Sequence, residues 1–202
     1  MSVFPILAAM AISLAQSNVA PVEPGSSAAA RRTMAEFGRC VARRSPAKAH
    51  KTLNRDFRTA EYRNALLTLA KVNQDCMGRG RMRAGGLLFA AAIAEAMLVA
   101  DPVPLNVRLL RAARTDAPTY APTDKIAMCV ARSDPDGAAR LLTAPIAAPA
   151  EDQAAAALKP AMRRCAPPGT PVQITPAGMR AFLATASYRL LAASLPAPKG
   201  NS

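Results

Sequence analysis

The feature that most constrains this chain is a repeated cysteine frame. Cys40-Val41-Ala42-Arg43 is written again as Cys129-Val130-Ala131-Arg132, and a further cysteine follows each copy at the same distance, Cys76 after the first and Cys165 after the second. Laid on each other without a gap, the two stretches also agree at Pro46, Ala49, Leu53, Ala65 and Leu69. Alanine richness accounts for some of these agreements, but not for the cysteines, the proline and the equal spacing. The pattern predicts an internal duplication. Four cysteines permit three pairings. Duplication favours Cys40 with Cys76 and Cys129 with Cys165, because a unit that once existed singly could bond only within itself. Each bond would close a loop contributing roughly 3 to 4 kcal/mol in the chain-entropy model.

The 202 residues are 51% hydrophobic but only 4% aromatic, with no tryptophan. A core made of Ala, Leu, Met and Val suits closely packed helices better than sheets, so the expected class is all-α. The duplication predicts two tandem disulfide-stapled repeats of about four helices each. Val172-Gln173-Ile174, in the loop after the last cysteine, has the composition of a very short strand.

Residues 1–15 form an uncharged, mostly apolar run ending in Ser13-Leu14-Ala15, which reads as a signal peptide cut after Ala15. An even cysteine count fits the same oxidising destination, periplasmic or secreted. Residues 16–32 have linker composition and are expected to be disordered. Repeat 1 spans 33–101, a Pro-containing connection 102–122, repeat 2 123–192 and a disordered tail 193–202. Thr33 and Glu36 have capping-box spacing. Ser45-Pro46, Asp134-Pro135 and Thr175-Pro176 each pair a side-chain acceptor with a first-turn proline. Thr59 precedes a helix running towards Cys76. Pro160 should break or kink its counterpart. The connection could hold a helical turn around Val107 to Ala113. The apolar run Ala84 to Ala100 is short for a membrane span and is closed by Asp101-Pro102, so a core helix is expected and no transmembrane helix in the mature chain.

The Cys-Val-Ala-Arg start, the Ser/Asp-Pro helix opening and the Gly-led final helices starting at Gly86 and Gly178 together resemble Ala- and Arg-rich exported bacterial proteins of unknown function. The resemblance implies export and a helical fold, and no activity.

Groups for catalysis are sparse, and no catalytic residue is assigned. His50, the only histidine, stands on a short helix where the second copy has Ala139, which reads as a surface imidazole. Glu95 lies in an apolar helix, either as the partner of a neighbouring arginine or as a buried carboxyl of raised pKa. Asp134-Pro135-Asp136-Gly137 is explained by helix capping. The cysteines lack the close pairs of a zinc site, and no metal or cofactor is expected. A net charge of +13 remains. Arg79, Arg81 and Arg83 mark its densest point and are candidate anion-binding residues. No aromatic residues stand beside them to stack on bases, which argues against sequence-specific nucleic acid. The expected function is a non-enzymatic binding module for an anionic envelope component or an acidic protein. The alternatives are an enzyme whose site forms between the repeats and a cationic membrane-active protein.

Overall fold

The computed structural model describes residues 27–77 and 86–195. The expected signal peptide, most of the expected linker, and Arg79, Arg81 and Arg83 lie outside the described residues. Among those described, the chain is all-α. The first copy comprises α1 (Ala28–Arg44), α2 (Pro46–Leu53), α3 (Ala60–Val72) and α4 (Gly86–Val99). The second comprises α6 (Pro122–Ser133), α7 (Pro135–Thr143), α8 (Pro149–Cys165) and α9 (Pro176–Ser194), with α5 (Leu105–Ala112) in the connection. The disulfides pair Cys40 with Cys76 and Cys129 with Cys165, each across 36 positions and each with Cα atoms 5.7 Å apart.

Local chemistry sets most helix starts. Asp134 and Thr175 accept the backbone N–H of Gly137 and Gly178 at 2.8 and 3.1 Å, and Pro135 and Pro176 follow them as first helical residues. Thr59 caps α3 in the same way through Tyr62. Ser45 departs from this pattern. Pro46 still opens α2, but the serine hydroxyl donates instead to the side chain of Asn73. Asn73, itself buried, donates to the Leu69 carbonyl and terminates α3, so Cys76 rides on a separate 3-10 turn, Gln74–Met77, rather than on the longer helix expected there.

Four other expectations are corrected. Order begins before Thr33: Ser27 caps α1, and the Thr33 hydroxyl donates to the Ala29 carbonyl one turn back, inside the helix. Residues 28–32, read as linker, are a helical turn because alanine is the best helix former and Ser27 supplies the missing acceptor. The helix around Pro160 does not break, since α8 runs through it to Cys165. Pro160 faces solvent, while Leu158, Ala161 and Met162 are buried on the other face, and their burial offsets the lost hydrogen bond. Val172–Ile174 is irregular rather than a strand; it has no neighbour to pair with among the described residues, and Val172 and Ile174 pack against the core instead. At the other end, α9 extends to Ser194, into the stretch expected to be a tail.

In each copy the first helix packs on the last and the second on the third. The two last helices, α4 and α9, then pack on each other, with α1 covering α4 and α6 covering α9. One continuous core therefore joins the copies. The connection contributes to it: α5 buries Leu105, Leu109 and Ala112 and packs on α6, α7 and α9. Within the run Ala84 to Ala100, Gly86–Val99 form α4, a core helix, and no helix of the described residues is long and apolar enough to cross a membrane. The α1–α4 crossing is close. A Cβ placed on Gly38 would lie 2.6 Å from the Ala92 backbone.

Candidate functional site

Two polar clusters are buried where the copies meet. In the first, Arg180 of α9 makes a two-pronged pair with Glu95 of α4, both bonds 2.6 Å, and also donates to the carbonyls of Leu142 and Ala144. Glu151, on α8, lies 3.4 Å from the same guanidinium, accepts from Arg31 of α1, and takes the Ala147 N–H at 2.9 Å. That last bond holds Ala147 at a φ of 56°, a backbone conformation most side chains disfavour. Burial would raise the Glu151 carboxyl, but the hydrogen bonds from Arg31 and Ala147 and the two guanidinium charges outweigh it and hold the group below its ordinary value. Arg180 is held above its usual range: burial works against its charge, and the bonds to Glu95 prevail. Glu95 is therefore an arginine's partner.

The second cluster is smaller and more aromatic. Arg189 of α9 pairs with Asp124 of α6, whose other oxygen accepts the Tyr120 N–H at 2.9 Å. The guanidinium lies over the rings of Phe57 and Tyr120, 5.7 Å from each centroid. Phe57 meets Tyr62 and Tyr120 edge-on. The shift that carries Cys40 onto Cys129 also carries Arg31 onto Tyr120 and Tyr62 onto Glu151. The clusters are thus related places in the duplicated fold, one filled with ion pairs and the other with rings.

Among the described residues, nothing fills the ring-bearing side. In the second copy α8 packs against both α6 and α9, whereas α3 in the first copy stands off from α1, held by the 3-10 turn and its disulfide. Between α1, α3, α4 and α9 lies a cavity of about 620 Å³. Its walls include Phe37, Phe57, Phe89 and Phe182, which are all the phenylalanines among the described residues. Phe37 and Phe89 stack at 5.0 Å. Met34, Leu66 and Ala70 complete much of the apolar surface. Tyr62 also lines it, and burial pushes its phenol up to about 12, so it stays neutral and protonated. The inner end is polar. Asp124 and Arg189, each 3% exposed, lie there with Thr185, while Leu67, at 68%, and Arg63 stand at the mouth.

The residues singled out from sequence are not brought together by this arrangement. Glu95 belongs to the other cluster, and His50 is engaged at 2.8 Å with the Tyr188 hydroxyl. The four cysteines are all oxidised and so are not metal ligands. Neither the phenylalanines nor Arg189 were singled out, although an arginine inside the apolar run Met179 to Leu191 was a legible sign of a buried partner. The arrangement offers a cavity with apolar aromatic walls and, at its inner end, one buried ion pair in which each carboxylate oxygen accepts one hydrogen bond. Comparison with protein-family models, with curated proteins and with solved structures gives no match.

Proposed function

We propose that this protein is an exported, non-enzymatic binding module that holds an apolar ligand between α1, α3, α4 and α9. The observation that carries the reading is where the aromatic residues stand. A chain with only 4% aromatics sets four phenylalanines and Tyr62 around one open cavity, while its closed copy is packed with Ala, Leu and Met. Its size is that of small-molecule sites, which are concave and mainly apolar with a few placed polar groups. Two disulfides support a periplasmic or secreted location, since such bonds persist where thiols oxidise. The charge of +13 supports a working position against an anionic envelope surface or acidic partner.

The test is titration of the oxidised protein with the uncharged fluorophore N-phenyl-1-naphthylamine. Saturable one-to-one enhancement is expected, and Ala70→Trp, which projects a ring into the cavity, should abolish it while leaving the helical circular dichroism intact. Absence of saturation in the wild type, or equal binding by a folded Ala70→Trp protein, refutes the reading.

A further inference from the structure

The mouth of the cavity carries apolar surface that nothing among the described residues covers. Leu67 of α3, at 68%, is the most exposed large hydrophobic side chain among those residues, and Leu87 in the first turn of α4 is 38% exposed. Both line the cavity, so their surface continues the apolar wall within. Leu88 follows and is exposed as well. Single exposed leucines are ordinary, whereas leucines that continue an apolar cavity mark a surface that meets something apolar.

Charge narrows the choice of partner. Arg63 lies one helical turn before Leu67 and Lys71 one turn after it, both exposed, so a cation flanks the leucine on either side along α3. Residues 27–77, which supply α1, α2 and α3, hold eleven Lys and Arg against four acids. Two of those acids, Asp56 and Asp75, are paired with Arg58 and Arg44, and the other two, Glu36 and Glu61, do not line the cavity. The lining has a single acid, Asp124, buried against Arg189 at the inner end. An apolar lip between cations matches the boundary of an anionic bilayer, where leucines enter the acyl region and long basic side chains reach the phosphates. An acidic protein would satisfy the cations but bring carboxylates, not hydrocarbon, to the leucines.

We infer that the protein docks on anionic phospholipid bilayers through the mouth of its cavity, with Leu67 and Leu87 in the acyl boundary and Arg63 and Lys71 at the phosphates. An apolar guest then passes between bilayer and cavity without crossing water. The route for the guest rests on the binding reading above, and the docking is tested apart from it.

The chain has no tryptophan, so Leu67→Trp and Leu110→Trp each report a single site. Leu110, 65% exposed, is the control: it stands on α5, which lies against the opposite end of α4, where Arg108 donates to the Leu98 carbonyl. Vesicles of equimolar phosphatidylcholine and phosphatidylglycerol should bind the oxidised wild type about tenfold or more tighter than pure phosphatidylcholine. On the anionic vesicles the Leu67→Trp emission should shift to the blue and be quenched by lipids brominated on their acyl chains. Leu110→Trp should show neither effect. R63Q/K71Q should weaken vesicle binding about twentyfold, at about fivefold per charge, whereas R163Q/R164Q, which removes the same charge from exposed positions on α8, should weaken it by less than about threefold. Equal binding to the two vesicles, equal quenching of the two tryptophans, or equal effects of the two charge pairs overturns the docking and leaves the cavity reading standing. Failure of the wild type to saturate with N-phenyl-1-naphthylamine in lipid-free solution overturns the cavity reading and the guest's route, and leaves the docking to the vesicle results.

Discussion

Replacing Arg180 with methionine tests how the two copies are held together. The substitution keeps an unbranched apolar stem of similar bulk, and it strips Glu95 of its two bonds and the Leu142 and Ala144 carbonyls of theirs. Glu151 keeps Arg31 and the Ala147 N–H, so the damage falls mainly on Glu95. Breaking a buried ion pair by removing one partner costs about 3–5 kcal/mol, and the retained partners of Glu151 place the expected loss near the lower end, about 3 kcal/mol. For a chain of this size that lowers the Tm by roughly 6–12 °C. The assay is urea unfolding of the oxidised protein followed by circular dichroism. The double variant E95M/R180M, which removes the orphaned carboxylate as well, should recover most of the loss. A single-variant cost below about 1 kcal/mol, or a double variant no more stable than the single, would refute the account. Acid adds a second readout. Because the folded Glu151 carboxyl lies below its ordinary value, its contribution is fully present above the unfolded pKa and is lost as the pH falls through the folded one. The Arg180→Met protein, lacking one of the charges that depress that carboxyl, should begin to unfold at a higher pH than wild type.

Gly38→Ala forces a methyl group into the Ala92 backbone at 2.6 Å, and should cost about 1–3 kcal/mol in the same unfolding assay. The paired change C40A/C76A opens a loop spanning 36 positions and should cost about 4 kcal/mol, and C129A/C165A should cost a similar amount because its loop is equally long. Pro160→Ala restores a backbone donor on the exposed face of a continuous helix and should stabilise by about 1–3 kcal/mol, read as a raised urea midpoint at unchanged slope.

The disulfide frame and most helix starts were legible because they rest on contacts between near neighbours or on the repeat itself. A proline after an Asp or Thr cap means the same thing in almost any fold. The Pro160 expectation missed because a local rule was outweighed by distant packing, the burial of Leu158, Ala161 and Met162 with Cys165 tied to α6. Residues 28–32 misled in the opposite way, their proline- and serine-rich approach masking a good helical run. Glu95 was half legible: an acid alone in an apolar helix signals a partner, but only the packing of α4 on α9 selects Arg180. The cavity was not legible at all. Phe37, Phe57, Phe89 and Phe182 are scattered along the chain, and whether they enclose space depends on how far α3 stands from α1, which no local pattern encodes.

The reciprocal way in which the copies meet, last helix on last helix, with Arg31 reaching Glu151 of α8 and its counterpart Tyr120 meeting Phe57 just before α3, is the geometry of an isologous dimer. Here the partner arrives on the same polypeptide, so association has become an intramolecular step with a high effective concentration. The fold is accordingly insulated from dilution, under which a two-chain version would fall apart by mass action. One half can then leave a cavity between its helices while the close-packed other half holds the assembly together.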